Sequence, residues 1–159
     1  MIIFGIDPGL DGAIALFRDG RYLAVMDLPV IARGKGKAAV NRQLDAAVFA
    51  VFLRHTRSVH ADESMLAVVE RVSAMPGQGS GSVFSLGDTN GVLAALAIAI
   101  EFVTPAEWKK HYRIDSHKER ARAAAIERFP EAAAMMTRKC DHNRAEAILI
   151  ARYGHTRFA

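Results

Sequence analysis

The stretch Ile2-Ile3-Phe4-Gly5-Ile6-Asp7-Pro8-Gly9-Leu10-Asp11-Gly12 decides how the rest of the chain is read. Its opening residues are short, apolar and mostly β-branched, the composition of a buried strand. Pro8 and Gly9 cannot continue a central strand, so Asp7 falls at the strand's end. Gly12 then releases the chain into a second apolar run, residues 13–17. A carboxylate at the lip of a sheet, beside backbone with no side chain to block a close approach, suits a metal bridged to phosphate. The plainer reading is an aspartate that caps its own turn.

Working outward, residues 13–17 and 21–27 read as two further strands joined at Arg18-Asp19-Gly20, which gives an antiparallel meander. Residues 28–39 carry Pro29, Arg33, Gly34, Lys35, Gly36 and Lys37 and read as a basic loop, either a solvated connection or an arm that touches phosphate through Lys35 and Lys37. Asn41 is placed to cap a helix running to about Arg57, with Leu44, Ala47, Val48, Val51 and Phe52 as its apolar stripe. Residues 66–69 form a fourth strand that also ends on an acid, Glu70. If that strand lies parallel to the first as its neighbour, Asp7 and Glu70 leave the sheet at the same edge.

The loop that follows, residues 71–82, holds Arg71, Ser73, Met75, Gly77, Gly79 and Gly81, and its place beside Glu70 makes it a candidate substrate-binding element. Residues 83–98 have helical length. Gly87 and Gly91 within them cost about 1 kcal/mol each relative to alanine. Close backbone contact with another helix, in this subunit or a partner, would explain them, as would a helix starting later, at Asp88 or Thr89.

A chain of 159 residues, 51% hydrophobic and 24% charged, is sized and composed for one globular domain spanning 1–159. A single cysteine, Cys140, excludes an internal disulfide and fits a reducing compartment. The most apolar segment, residues 92–100, is far shorter than the ~20 residues that span a bilayer. No secretory pattern is evident at the N-terminus, so the expectation is a cytoplasmic protein without a membrane partner. The net charge of +4 permits a polyanionic ligand.

That charge is concentrated. From position 104 to 144 there are ten Lys/Arg and six Asp/Glu residues, and ten minus six equals the +4 of the whole chain. After a fifth strand at 101–103, Thr104-Pro105-Ala106-Glu107 has the form of a capped helix start carrying Trp108, Lys109, Lys110 and His111. Ser116 is placed to cap a further helix, with Glu119 three residues on. Such a basic third is the footprint of a phosphate-binding face, the alternative being ordinary solvated helices. The last element opens Asp141-His142-Asn143-Arg144-Ala145-Glu146-Ala147. Ala145, Ile148, Leu149 and Arg152 trace one helix face, while His142 and Glu146, four apart, share another. An acid among small and apolar residues needs a partner or a metal.

Asp7, Glu70, Asp141 and Glu146 therefore stand out. Magnesium is a hard cation that takes oxygen ligands and keeps several waters, so scattered carboxylates suit it. Two such ions about 4 Å apart can activate water and stabilise a leaving oxygen in phosphodiester hydrolysis. No zinc spacing, Walker loop or HExxH motif is present.

The ordered set Phe4-Gly5-Ile6-Asp7-Pro8-Gly9, Val68-Val69-Glu70 and Ala145-Glu146-Ala147 resembles the RuvC family of Holliday junction resolvases, within the ribonuclease H-like nucleases, and most closely its phage and prophage members. The resemblance implies an α/β, ribonuclease H-like fold, a central mixed five-stranded sheet flanked by helices. It implies a homodimer, for which the 83–98 helix is the candidate interface. That dimer would cut four-way DNA junctions in pairs with two Mg²⁺ ions per site, Mn²⁺ substituting, and leave 5′-phosphate ends. Asp7, Glu70 and Glu146 match the family's first, second and last acids. Family members commonly carry a further acid three residues before the last, where this chain has Asn143. Asp141, with His142 close behind, is the expected substitute as a metal ligand. Lys109 and Lys118 resemble basic residues near the scissile phosphate, and Lys110, Arg113 and Arg122 extend that DNA-binding face. The 71–82 loop, with Arg71 and Met75, resembles the segment that enters the junction. A ribonuclease H-like nuclease for other branched DNA or RNA, or a non-catalytic branched-DNA scaffold, are the alternatives.

Overall fold

The structure, a computed structural model, describes residues 1–33, 41–71 and 80–159. Its strands are β1 (Ile2–Asp7), β2 (Ala13–Arg18), β3 (Arg21–Asp27), β4 (Val30–Arg33), β5 (Asn41–Leu44), β6 (Met65–Glu70) and β7 (Ala99–Val103). Its helices are α1 (Ala46–Val59), α2 (Ser80–Ala95), α3 (Pro105–Tyr112), α4 (Lys118–Arg128) and α5 (His142–Phe158), with 3₁₀ turns at Pro130–Met135 and Lys139–Asp141. Five strands form a mixed sheet in the order β3-β2-β1-β6-β7. β1 is antiparallel to β2 and parallel to β6, and β6 is parallel to β7. The β2–β3 turn has positive φ at both Asp19 (48°) and Gly20 (76°), the conformation that matches the twist of a two-residue hairpin.

Alternation along the strands builds two cores. Ile2, Phe4 and Ile6 of β1, with Ala67 and Val69 of β6, face Phe49 and Leu53 of α1 and Leu93 of α2. Ile3 of β1, with Leu66 and Val68 of β6, faces Trp108, Ala125, Ile148 and Leu149 on the side of α3, α4 and α5. Side chains two apart share a face of a strand. Asp7 thus shares the face of Ile3, and Glu70 the face of Leu66 and Val68. Both carboxylates leave the sheet on the side that α5 covers.

The α5 side is packed without clearance. A Cβ on Gly5 would strike the backbone of Ala147 and Ala151, and one on Gly154 would strike the Val68 side chain. Ala145, Ala147 and Ala151, all fully buried, keep this approach close. On the opposite flank the glycines of α2 behave differently. A Cβ at Gly87 or Gly91 would meet nothing within 4 Å, so among the described residues these glycines serve no close contact.

Several expectations from sequence are corrected. Asn41 belongs to β5, which pairs with β4 in a separate two-stranded sheet where a loop was expected. The cap of α1 is Asp45, whose Oδ1 accepts from Val48 N at 3.0 Å. The buried face of α1 is Phe49, Leu53 and Thr56, while Val48 and Val51 are 50% and 60% exposed. The periodic rule fits either set, and packing against the sheet buries Phe49 and Leu53. α2 begins at Ser80, so a start at Asp88 or Thr89 does not hold. The N-cap of α4 is His117, with Asp115 accepting from its backbone N–H at 2.9 Å, rather than Ser116. The capping box of Thr104 and Glu107 is present as expected. No described helix is long and apolar enough to cross a membrane.

Gly5→Ala should destabilise the chain by about 3 kcal/mol, because helix backbone cannot yield to a methyl group as a side chain can. Gly9→Ala, where a Cβ would find only ordinary contacts at 3.6 and 3.8 Å, should change stability by about 0.5 kcal/mol or less. Urea unfolding of the two variants checks this, and equal losses would contradict the close packing of α5 on β1.

Candidate active site

Asp7 is held by the turn that ends β1. Gly9 N–H donates to its Oδ1 at 3.3 Å, and Gly12 N–H closes the turn on Gly9 O at 2.8 Å. A Cβ on Gly12 would strike the Asp7 carbonyl oxygen, which explains the glycine there. Glu70 ends β6 one strand away, and its Oε1 accepts from the indole Nε1 of Trp108 at 2.8 Å. Trp108 is fully buried on the first turns of α3, directly after the capping box, so the helix start fixes the indole and the indole fixes the carboxylate. Glu146 enters from α5, next to Ala147, which sits on Gly5. Its Oε1 meets Lys109 Nζ at 3.1 Å, with side-chain exposures of 13% and 18%. Lys109 also lies 4.9 Å from the Trp108 ring centroid, an ammonium over an aromatic face.

These groups lie close enough to act on one another's charge. Burial raises the Asp7 carboxyl to about 6, with Glu146 pushing the same way and Gly9, Lys109 and Lys118 pulling back. Burial raises Glu70 to about 7, opposed by the Trp108 hydrogen bond and reinforced by Asp7 and Glu146. Buried carboxylates that raise one another's proton affinity lack a matching positive charge.

Asp141 is not part of this group. Its Oδ2 accepts from Arg138 N at 2.7 Å, and its Oδ1 accepts from Arg138 Nε at 3.0 Å and Nη2 at 2.7 Å. It is only 3% exposed, and Arg138 holds its carboxyl below the usual carboxylate range. Asp141 was expected to stand in for the third acid; here three of its acceptor sites are occupied by Arg138. His142 Nδ1 lies 2.9 Å from Lys139 O. Asn143, at the position where the third acid was sought, donates its amide to the carbonyl oxygen of Asp11.

The basic residues divide as well. Lys118 is exposed and acts on both Asp7 and Asp11. Lys110 and Arg113 are exposed near the C-terminal end of α3, and Arg71 is exposed just beyond Glu70. Arg122 braces α4 instead, bonding Glu119 Oε2 at 2.8 Å through Nη2 and Met136 O at 2.9 Å through Nη1. Lys35, Lys37 and Met75 lie outside the described residues. The residue that sequence reasoning missed is Trp108. Its signal was available: it is the chain's one tryptophan, directly before Lys109.

Among the described residues, no three His, Cys, Asp or Glu side chains close into a ready-made metal cage. Magnesium does not need one, since it is commonly held by one or two carboxylates, waters and substrate phosphate. All-oxygen donors with raised proton affinity therefore fit a hard divalent cation.

No known family profile and no curated protein matches the chain in sequence. Among solved structures it is similar to Thermus thermophilus RuvC in complex with a Holliday junction substrate, at a TM-score of 0.62 and 15% identity, covering 99% of this chain and 96% of that one. A second Thermus thermophilus RuvC structure aligns at a TM-score of 0.48 and 17% identity, covering 98% and 96%. The chain thus has the α/β, ribonuclease H-like fold of RuvC.

The raised carboxylates set a pH dependence of stability. A folded state that binds Asp7 and Glu70 protons more tightly than the unfolded chain loses stability as pH rises from about 4 to about 7. In EDTA, unfolding should be harder at pH 5 than at pH 8, with each carboxylate contributing on the order of 2 kcal/mol. Asp7→Asn should shrink that difference, and Mg²⁺ at pH 8 should restore stability to the wild type. Urea midpoints at both pH values check this. An equal pH difference in wild type and Asp7→Asn would contradict it.

Proposed function

We propose that the chain is a metal-dependent endonuclease that resolves four-way DNA junctions. The observation that carries this reading is that the parallel ends of β1 and β6 carry Asp7 and Glu70 on the face that α5 covers, where Glu146 pairs with Lys109, and that burial raises both strand-end carboxyls. The fold is shared with a RuvC that was solved with a Holliday junction substrate, which supports branched DNA as the ligand.

In this reading Asp7, Glu70 and Glu146 hold Mg²⁺, or Mn²⁺ in its place. When bound, the metal would supply a more acidic water and positive charge beside the scissile phosphate. The chain's own residues do the rest. Trp108 keeps Glu70 in one rotamer by its indole hydrogen bond. Lys109, now paired with Glu146, is placed to transfer its charge to an arriving phosphate oxygen. Lys118 reaches the same edge from α4. Lys110, Arg113 and Arg71 extend the basic margin on which the backbone would lie.

Paired cuts require two such sites, and a homodimer supplies them. The outward glycines of α2 favour this, because Gly87 and Gly91 leave open space where a partner helix could approach backbone to backbone. Gly91→Trp should leave the subunit folded, since among the described residues nothing lies within 4 Å of a Cβ there, and convert the dimer to monomer in sedimentation. A folded variant that stays dimeric would exclude this face.

The deciding experiment uses end-labelled mobile four-way junctions beside matched linear duplex, in Mg²⁺ and in EDTA. Wild type should nick opposite strands of the junction only. Asp7→Asn should lower cleavage by about 1,000-fold or more while retaining junction affinity, because the basic margin is untouched. Equal cutting of every substrate would leave a nuclease without junction specificity. Wild-type cleavage by Asp7→Asn would end the assignment.

A further inference from the structure

A cavity of about 360 Å³ lies beside the candidate active site, between the β1–β2 turn, the β4–β5 hairpin and the start of α5. Leu10, Leu28 and Val30 give it an apolar floor, and Arg42, Arg138 and Asp27 give it a polar wall. Lys118 also lines it, as do Asp11 and Gly12, and Gly12 is packed on the Asp7 carbonyl, so the cavity adjoins the turn that holds Asp7.

The lining argues against a phosphate as the occupant. Each guanidinium there is already matched: Arg42 Nη1 to Asp11 Oδ1 at 2.7 Å, and Arg138 Nη2 to Asp141 Oδ1 at 2.7 Å. Carboxylates alternate with cations around the wall, and a dianion would be repelled by as many groups as attract it. A nucleobase has the complementary character. It offers a flat apolar face for the leucine and valine floor, and an edge carrying both donors and acceptors for the mixed wall. An unpaired base can be splayed into such a pocket, whereas a stacked one cannot.

We infer that this cavity receives the unstacked base next to the scissile phosphate, and so sets which sequences at a branch point are cut. The inference deepens the nuclease reading and rests on it. A phosphate at Asp7, bridged by Lys118, puts the adjoining nucleotide at the cavity mouth. Arg42, 43% exposed, can leave Asp11 to bond a base edge without opening any core. The Asn143 amide, tied to Asp11 O, and the Gly12 carbonyl, which accepts from Leu28 N–H at 2.9 Å, hold the near wall in place.

The test sequences cut ends from a library of four-way junctions with randomised bases around the branch point. Wild type, Arg42→Ala and Val30→Trp are compared, with Arg21→Ala at the distant β2–β3 turn as a control. The first removes a wall donor on the surface, and the second fills the cavity from an exposed position. Wild type should favour particular bases at one position beside the cut at least tenfold. Arg42→Ala and Val30→Trp should each reduce or redirect that preference at least fivefold, and Arg21→Ala should keep it. Wild-type preference in both cavity variants would overturn the inference. Even nicking of all junctions by wild type would overturn it while leaving junction resolution intact. No nicking of any junction would overturn the nuclease reading itself.

Discussion

The contact on which the site depends is the one between α5 and the backbone of β1. Glu146 can stand beside Asp7 only if the helix bearing it lies against the strand, and a side chain at Gly5 would hold the two apart. Gly154 permits the same approach over Val68, and the buried alanines 145, 147 and 151 carry it along the helix. Other interactions lock the seat. Tyr112 donates its hydroxyl to Leu149 O at 2.9 Å, joining α3 to α5. Arg144 grips Asp27 with Nε and Nη2, both at 2.6 Å, joining the start of α5 to the end of β3. A helix tied at its start and its middle and pressed against β1 gives Glu146 little freedom, which a multi-carboxylate site requires.

The carboxylates of the chain fall into two populations, and the difference is one of compensation. Asp141, Asp11 and Glu107 are matched by arginine or by a helix cap, and each is held below the usual carboxylate range. Asp7 and Glu70 are buried without such a match, and both are raised. Matched acids serve the fold, since breaking them would release a charge into a place built to hold it. Unmatched acids weaken the fold, and such groups collect at functional sites. Sequence position alone does not separate these populations. Asp7 and Asp11 lie four residues apart on the same turn and belong to different ones.

Much of this was legible in the sequence. Strand ends placed Asp7 and Glu70, because each closes an apolar run just before a break, and parallel neighbouring strands bring such ends to one edge. The Thr104–Glu107 box was equally readable, being a local hydrogen-bond pattern. What failed depended on distant packing or on loop chemistry. The β4–β5 hairpin was read as a loop because its strands are only four residues each and one is the polar run Asn41–Leu44. The α1 stripe was misplaced because valines at helical spacing mimic a buried face, and only the sheet residues opposite decide for Phe49 and Leu53. Asp141 was assigned to the metal because the guanidinium of Arg138 could not be seen closing over it.

The charge balance of the site gives the loss of Asp141 a physical sense. Asp7, Glu70 and Glu146 contribute three negative charges when ionised, and Lys109 contributes one positive charge through its pairing with Glu146. Three against one leaves minus two, the complement of a single divalent cation. A fourth unmatched carboxylate in the same space would raise every proton affinity further and repel the phosphate that has to enter. With Arg138 closed over Asp141 and an uncharged Asn143 turned to the Asp11 carbonyl, the α5 start adds no net negative charge to that space. If the site works as proposed, Asp7, Glu70 and Glu146 would hold the cation, and Lys109 would be free to turn from Glu146 to a phosphate oxygen. The ammonium that now offsets one of the three carboxylate charges would in that reading become a contact to the substrate.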